Sequence, residues 1–158
     1  MGWSLHHKTG LIHSSHQQTY RGYTLVATNR GGYHANLIDM EGRICHRWYS
    51  EEGICYPYLL PNGNLLLRTS PPQVEGEERF GGSSASILEL DWDGNVVWSF
   101  RDSMLHHDFQ RLPNGNTLVL LWVPIPDELK NRVVGGYESE GDWLPMLGDL
   151  VQEITPDG

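Results

Sequence analysis

From residue 22 onward the chain alternates apolar and polar positions in short stretches, each closed by glycine, proline, asparagine or aspartate. A period of two marks half-buried strands, because successive side chains on a strand point to opposite faces. The pattern predicts strands over 22–28, 35–40, 44–49, 54–60, 65–69, 86–91, 95–100, 106–112, 117–123 and 149–155. Asn62-Gly63 and Asn114-Gly115 sit between such stretches, as do Glu41-Gly42 and Asp93-Gly94. Asn-Gly in that setting predicts a type I′ hairpin, whose two central residues need positive φ.

The hairpins recur at a fixed interval. Gly63 and Gly115 are 52 residues apart, and Gly42/Gly94, Ile44/Val96, Trp48/Phe100 and Leu60/Leu112 keep the same spacing. Four strands per repeat of about fifty residues is the grammar of a propeller blade. The expected fold is therefore all-β: a partial β-propeller of about two and a half four-stranded antiparallel blades, at 33–69, 84–123 and from 149 onward. Residues 1–21 read as an N-terminal arm and 22–158 as the incomplete propeller. The segment Gly22 to Thr28 matches those starting at Gly63 and Gly115, and so reads as the last strand of a unit whose other strands do not precede it. Closed propellers have about four to eight blades. Two expectations follow: C-terminal blades missing from this chain, or self-association of several copies to cover exposed edges.

With 39% hydrophobic and 20% charged residues, the chain has the composition of a globular domain. Eleven basic against 20 acidic residues give a net charge of −9, which opposes binding to phosphate backbones and acidic membranes, so neither nucleic acid nor membrane is an expected partner. The first residues lack an export-signal core and no run reaches transmembrane length, which predicts a soluble, cytoplasmic protein. In that compartment Cys45 and Cys55 are expected as thiols, although they flank a turn that a cross-strand disulfide would fit. Two long connections remain, 70–83 and 124–148; the second is predicted to begin with a helical turn at Pro126-Asp127-Glu128-Leu129. Loops of that length often border functional surfaces.

The repeat separates residues that serve the fold from residues that serve a site. Where the first unit has Ile54-Cys55-Tyr56, the second has His106-His107-Asp108. Imidazole moves protons or accepts electrophilic groups near neutral pH, and a carboxylate beside it fixes the tautomer. Strand alternation puts His106 and Asp108 on one face as a candidate pair, with His107 on the other unless a bulge intervenes. The competing reading has all three bonding neighbouring backbone and locking one unit to the next. Arg111 is a candidate for neutralising an anion and, alternatively, an ordinary surface arginine. Trp48, Trp98 and Phe100 are expected in the core. His6, His7, His13 and His16 lack supporting cysteine or carboxylate spacing, so they read as solvated and no metal site is expected.

Gly-Tyr-Thr-Leu at 22–25, Leu-Ile-Asp-Met-Glu-Gly at 37–42, Tyr-Leu-Leu-Pro-Asn-Gly-Asn at 58–64, Glu-Leu-Asp-Trp-Asp-Gly-Asn-Val-Val-Trp at 89–98 and His-His-Asp-Phe-Gln-Arg-Leu-Pro-Asn-Gly-Asn-Thr-Leu at 106–118 together resemble the arylsulfotransferase-like family of β-propeller proteins. The resemblance spans residues 22–158 and is most specific over 106–118. It implies a six-bladed propeller that moves a sulfuryl group from an aryl sulfate to a phenol through a histidine. Neither a nucleotide sulfate donor nor any other cofactor is required. On this reading His106, His107 and Asp108 are the catalytic candidates and Arg111 the substrate-binding one. A non-catalytic propeller presenting loop 124–148 to a protein or carbohydrate is the alternative. A metal-dependent hydrolase built on His106 and Asp108 lacks further ligands.

Overall fold

The computed structural model describes residues 10–27, 32–70, 81–135 and 146–158. His6, His7 and the central stretches of both long connections, 71–80 and 136–145, lie outside the described residues. Ten strands and one helical turn follow in order: β1 (Thr24–Ala27), β2 (His34–Ile38), β3 (Ile44–Tyr49), β4 (Tyr56–Leu59), β5 (Leu65–Arg68), β6 (Ser86–Leu90), β7 (Val96–Arg101), β8 (Leu105–Arg111), β9 (Thr117–Pro124), α1 (Asp127–Lys130) and β10 (Leu147–Ile154). The fold is all-β. Residues 10–23 contain neither helix nor strand, and Leu11 lies against the β2–β3 turn, where a Cβ on Gly42 would stand 3.0 Å from its own Cβ. No helix among the described residues is long and apolar enough to cross a membrane. Both cysteines are free thiols.

The strands form three antiparallel sheets, β1-β2-β3, β4-β5-β6-β7 and β8-β9-β10. This corrects the expected grouping, since each predicted four-stranded unit, 33–69 and 84–123, is divided between two sheets. The chain changes sheet between Tyr49 and Tyr56 and again between Arg101 and Leu105. A repeat fixes the length of a unit and leaves its starting point open. Here the unit begins at the strand that follows the change of sheet.

The hairpins also differ from the predicted type I′. Among the described residues only glycines and His107 have positive φ, so Asn62 and Asn114 do not. Instead Gly63 donates its N–H to the Leu60 carbonyl (2.9 Å) and Leu60 donates to Asn64 (2.8 Å), which makes a three-residue loop ending in a left-handed glycine. Leu112, Gly115 and Asn116 repeat it. Asp39 to Arg43 and Asp91 to Asn95 close in the same way with Met40 and Trp92 in the second position, so proline's fixed negative φ at Pro61 and Pro113 suits this loop without being required for it.

Side-chain alternation then stacks the sheets in three layers. Leu65 and Leu67 of β5, with Leu88 and Leu90 of β6, pack against Ala35, Leu37 and Trp48 of the first sheet. Leu66 and Ile87, from the opposite face of the same strands, pack against Leu105, Phe109, Val119 and Leu121 of the third. β6 is consequently buried on both faces, and its five residues Ser86–Leu90 are all buried. Trp48 is 1% exposed and Trp98 and Phe100 border the second core, as their spacing predicted. The Trp48 indole N–H donates to the Asp91 carbonyl at 3.0 Å, tying the first sheet to the β6–β7 turn.

Candidate functional site

The candidate histidines occupy an irregularity in β8. Leu105 pairs with Leu121 and Phe109 with Val119, so 106, 107 and 108 together face the single residue Leu120. This is a bulge, which bends a strand and re-aims side chains. Within it His107 takes φ 50, and it is the one non-glycine with positive φ among the described residues. For a residue with a Cβ that conformation costs ~1–2 kcal/mol. Hydrogen bonds hold it there: His107 donates its backbone N–H to the Gly82 carbonyl at 2.9 Å, and Ser84 donates to Leu105 at 2.9 Å. Gly82 is needed for a second reason. A Cβ on it would lie 2.3 Å from two atoms of the His107 ring, and its φ is +86.

The bulge overturns the expected pair. Asp108 does not meet His106; its Oδ1 accepts the backbone N–H of Phe109 at 2.8 Å. His106 and His107 come together instead, Nδ1 to Nδ1 at 3.0 Å. His106 is 3% exposed and stacks on Trp122, with ring centroids 4.5 Å apart and planes 15° from parallel. Its other nitrogen, Nε2, is buried without a hydrogen-bond partner and faces the Asp149 carboxylate of β10 at 3.4 Å. That is a charge contact short of a closed hydrogen bond. His107 and Asp108 are exposed.

Burial is the largest influence on His106 and holds its pKa below the ordinary histidine value. Asp149 and the Leu121 carbonyl oppose this, while His107 and Arg68 push further down. The ring is thus kept neutral by desolvation. A neutral imidazole has one N–H and one lone pair, and two rings joined at Nδ1 must be complementary. If His106 presents Nε2–H to Asp149, its Nδ1 accepts the Nδ1–H of His107. On that tautomer the lone pair of His107 is on Nε2.

Arg111 has a different occupation from the one expected. Its Nη2 contacts Glu89 Oε2 at 2.5 Å, its Nη1 donates to the Gly115 carbonyl at 2.9 Å, and its guanidinium lies 4.9 Å above the Trp98 ring. Glu89 also accepts from Asn64 at 2.7 Å. With side chains 17% and 10% exposed, this pair clamps the second sheet to the third.

Asp149 and Arg68 escape the sequence reading. Arg68 donates from Nη1 to the Gly82 carbonyl at 2.5 Å, and its charge reaches His106. A signal for it existed, since Arg68 stands one repeat before Leu120, a charge in an apolar slot. Asp149 lies beyond an insertion and has no such signal. Below the bulge a hollow of about 380 Å³ is lined by Tyr56, Tyr58, Asp108, Phe109, Gln110 and Leu118, among others. Tyr56 meets Phe109 edge to face, centroids 5.7 Å apart. Among the described residues no three His, Cys, Asp or Glu side chains converge as a metal-binding group.

No family model matches the chain, and no solved structure matches it. It is similar to UDP-glycosyltransferase 76D1 of Arabidopsis thaliana, 22% identical over 158 aligned positions covering 90% of this chain. The chain spans 35% of that protein's length.

Proposed function

We propose that the three sheets are consecutive blades of a β-propeller of the arylsulfotransferase-like kind, and that His107 carries a sulfuryl group from an aryl sulfate to a phenol. The observation that carries this reading is the line Asp149, His106, His107, with contacts of 3.4 and 3.0 Å. With Nε2–H of His106 turned to Asp149, the exposed imidazole of His107 would keep its lone pair on Nε2, the tautomer that nucleophilic histidine chemistry requires. His107 Nε2 attacks sulfur, an S–N bond forms as the S–O bond to the aryl group breaks, and the electron pair leaves on the phenolate oxygen. The Nδ1 proton of His107 is shared with His106, whose growing positive charge faces Asp149. An acceptor phenol then attacks sulfur, the S–N pair returns to Nε2, and the net proton passes from acceptor to departing phenolate. Arg68 offsets the charge of the sulfate oxygens. The hollow walled by Tyr56, Tyr58 and Phe109 starts one residue from His107 and suits an aromatic ring.

The test is turnover of a chromogenic aryl sulfate with a phenol acceptor, with mass spectrometry of acid-sensitive label on the protein. Label on His107, its loss in His107→Ala, and a fall of ~10²–10⁴ in rate in Asp149→Asn are expected. Equal turnover in wild type and His107→Ala, or label on another residue, removes His107 from the chemistry.

A further inference from the structure

The repeat shows which face of a sheet receives the next sheet. On the second sheet, Leu66 pairs with Glu89 and Arg68 with Ile87, and the third sheet covers this face, leaving Leu66 at 0% and Ile87 at 1% exposure. The third sheet repeats the surface on its outer side: Leu118 pairs with Glu153 and Leu120 with Val151. The resemblance extends to hydrogen bonds. Asn64 donates to Glu89 at 2.7 Å, and Asn116 donates to Glu153 at 2.6 Å. Yet Val151 is 61% exposed, because no sheet among the described residues lies over it.

The complementary surface is at the other end of the stack. The second sheet meets the first through Leu65, Leu67, Leu88 and Leu90, and their counterparts on the first sheet are Thr24, Val26, Asn36 and Ile38, on its outer side. Val26 is 43% exposed. Charges match as well: Asp149 and Glu153 stand on the outer face of the third sheet, and Arg47, bonded to Asn36 at 2.8 Å, on that of the first.

We propose that these two faces dock on each other between two copies of this chain, head to tail, continuing the packing that each internal junction already uses. The inference rests on the propeller reading, and that reading sets the stoichiometry. Closed propellers have about four to eight blades, and the three described sheets taken twice make six, inside that range. Leu118, Leu120 and Val151 also wall the hollow beside His107, so the second copy completes the site.

Light scattering after size exclusion, on the full chain, tests this. The expected mass is twice 17.9 kDa. Val151→Glu and Val26→Glu should each raise the dimer dissociation constant on the order of a hundredfold, because each puts an unpaired charge into a junction. Val97→Glu, on the exposed face of β7 in the middle sheet, should leave it unchanged. An equimolar mixture of the Val26 and Val151 variants should recover a dimer through its one intact junction, which also shows that both variants fold. A monomeric wild type overturns the proposal, as does a Val26→Glu variant that dimerises normally, since that means like faces pair. A monomer that still takes label on His107 refutes the pairing alone and leaves the sulfuryl reading standing.

Discussion

Replacing Arg111 by leucine leaves Glu89 as a carboxylate 8% exposed whose remaining partner among the bonds described is Asn64. Removing one member of a buried, hydrogen-bonded ion pair costs about 3–5 kcal/mol, most of it the penalty of the charge left behind. For a domain with about 5–15 kcal/mol in total, that loss is large. The repeat supplies the control. One period earlier the positions of Glu89 and Arg111 are held by Leu37 and Leu59, both in the first core, so this junction also accepts an apolar pair. The double variant Glu89→Leu/Arg111→Leu should therefore lose only about 1–2 kcal/mol, chiefly from Asn64 losing its acceptor. Urea titration followed by tryptophan fluorescence measures this, and Trp98 under the guanidinium gives a local signal. If the double variant is as unstable as Arg111→Leu, the charge left behind is not the cause and the clamp is misread.

Two further outcomes follow from the bulge. His106 has its pKa depressed by burial, so the unfolded chain binds the proton more readily. Its stabilising contribution is complete above the ordinary value of 6.5 and is lost as pH falls from there toward the lower folded value. Denaturation midpoints should drop over this window in wild type and stay flatter in His106→Gln; parallel curves would refute the assignment. Gly82→Ala should cost about 1–2 kcal/mol from its left-handed backbone and displace His107. Loss of His107 labelling with β-sheet circular dichroism retained is the expected result, and unchanged labelling would show that the ring does not need that space.

The strands and the glycine of every hairpin were legible because each depends on neighbours in sequence. Alternation located β8 to within a residue, and Gly63, Gly94 and Gly115 take the positive φ their turns require. What failed depends on distant partners. The pairing of His106 with Asp108 assumed unbroken alternation, and a bulge held by Gly82, far from it in sequence, removes it. Arg111 resembled a surface arginine because Glu89, its partner, is 22 residues away on a different sheet. The phase of the repeat was equally hidden, since a meander that stays in one sheet and one that crosses to the next have the same hydrophobic spacing.

The middle sheet has a neighbour on each side, whereas the flanking sheets have one apiece. Local opening that exposes β1 or β10 breaks a single layer of contacts, but opening β6 must break both. Amide exchange in a single copy should therefore be slowest in Leu65–Arg68 and Ser86–Leu90 and quicker in the strands of the two flanking sheets. The strand buried on both faces, Ser86–Leu90, would be the last to release its protons.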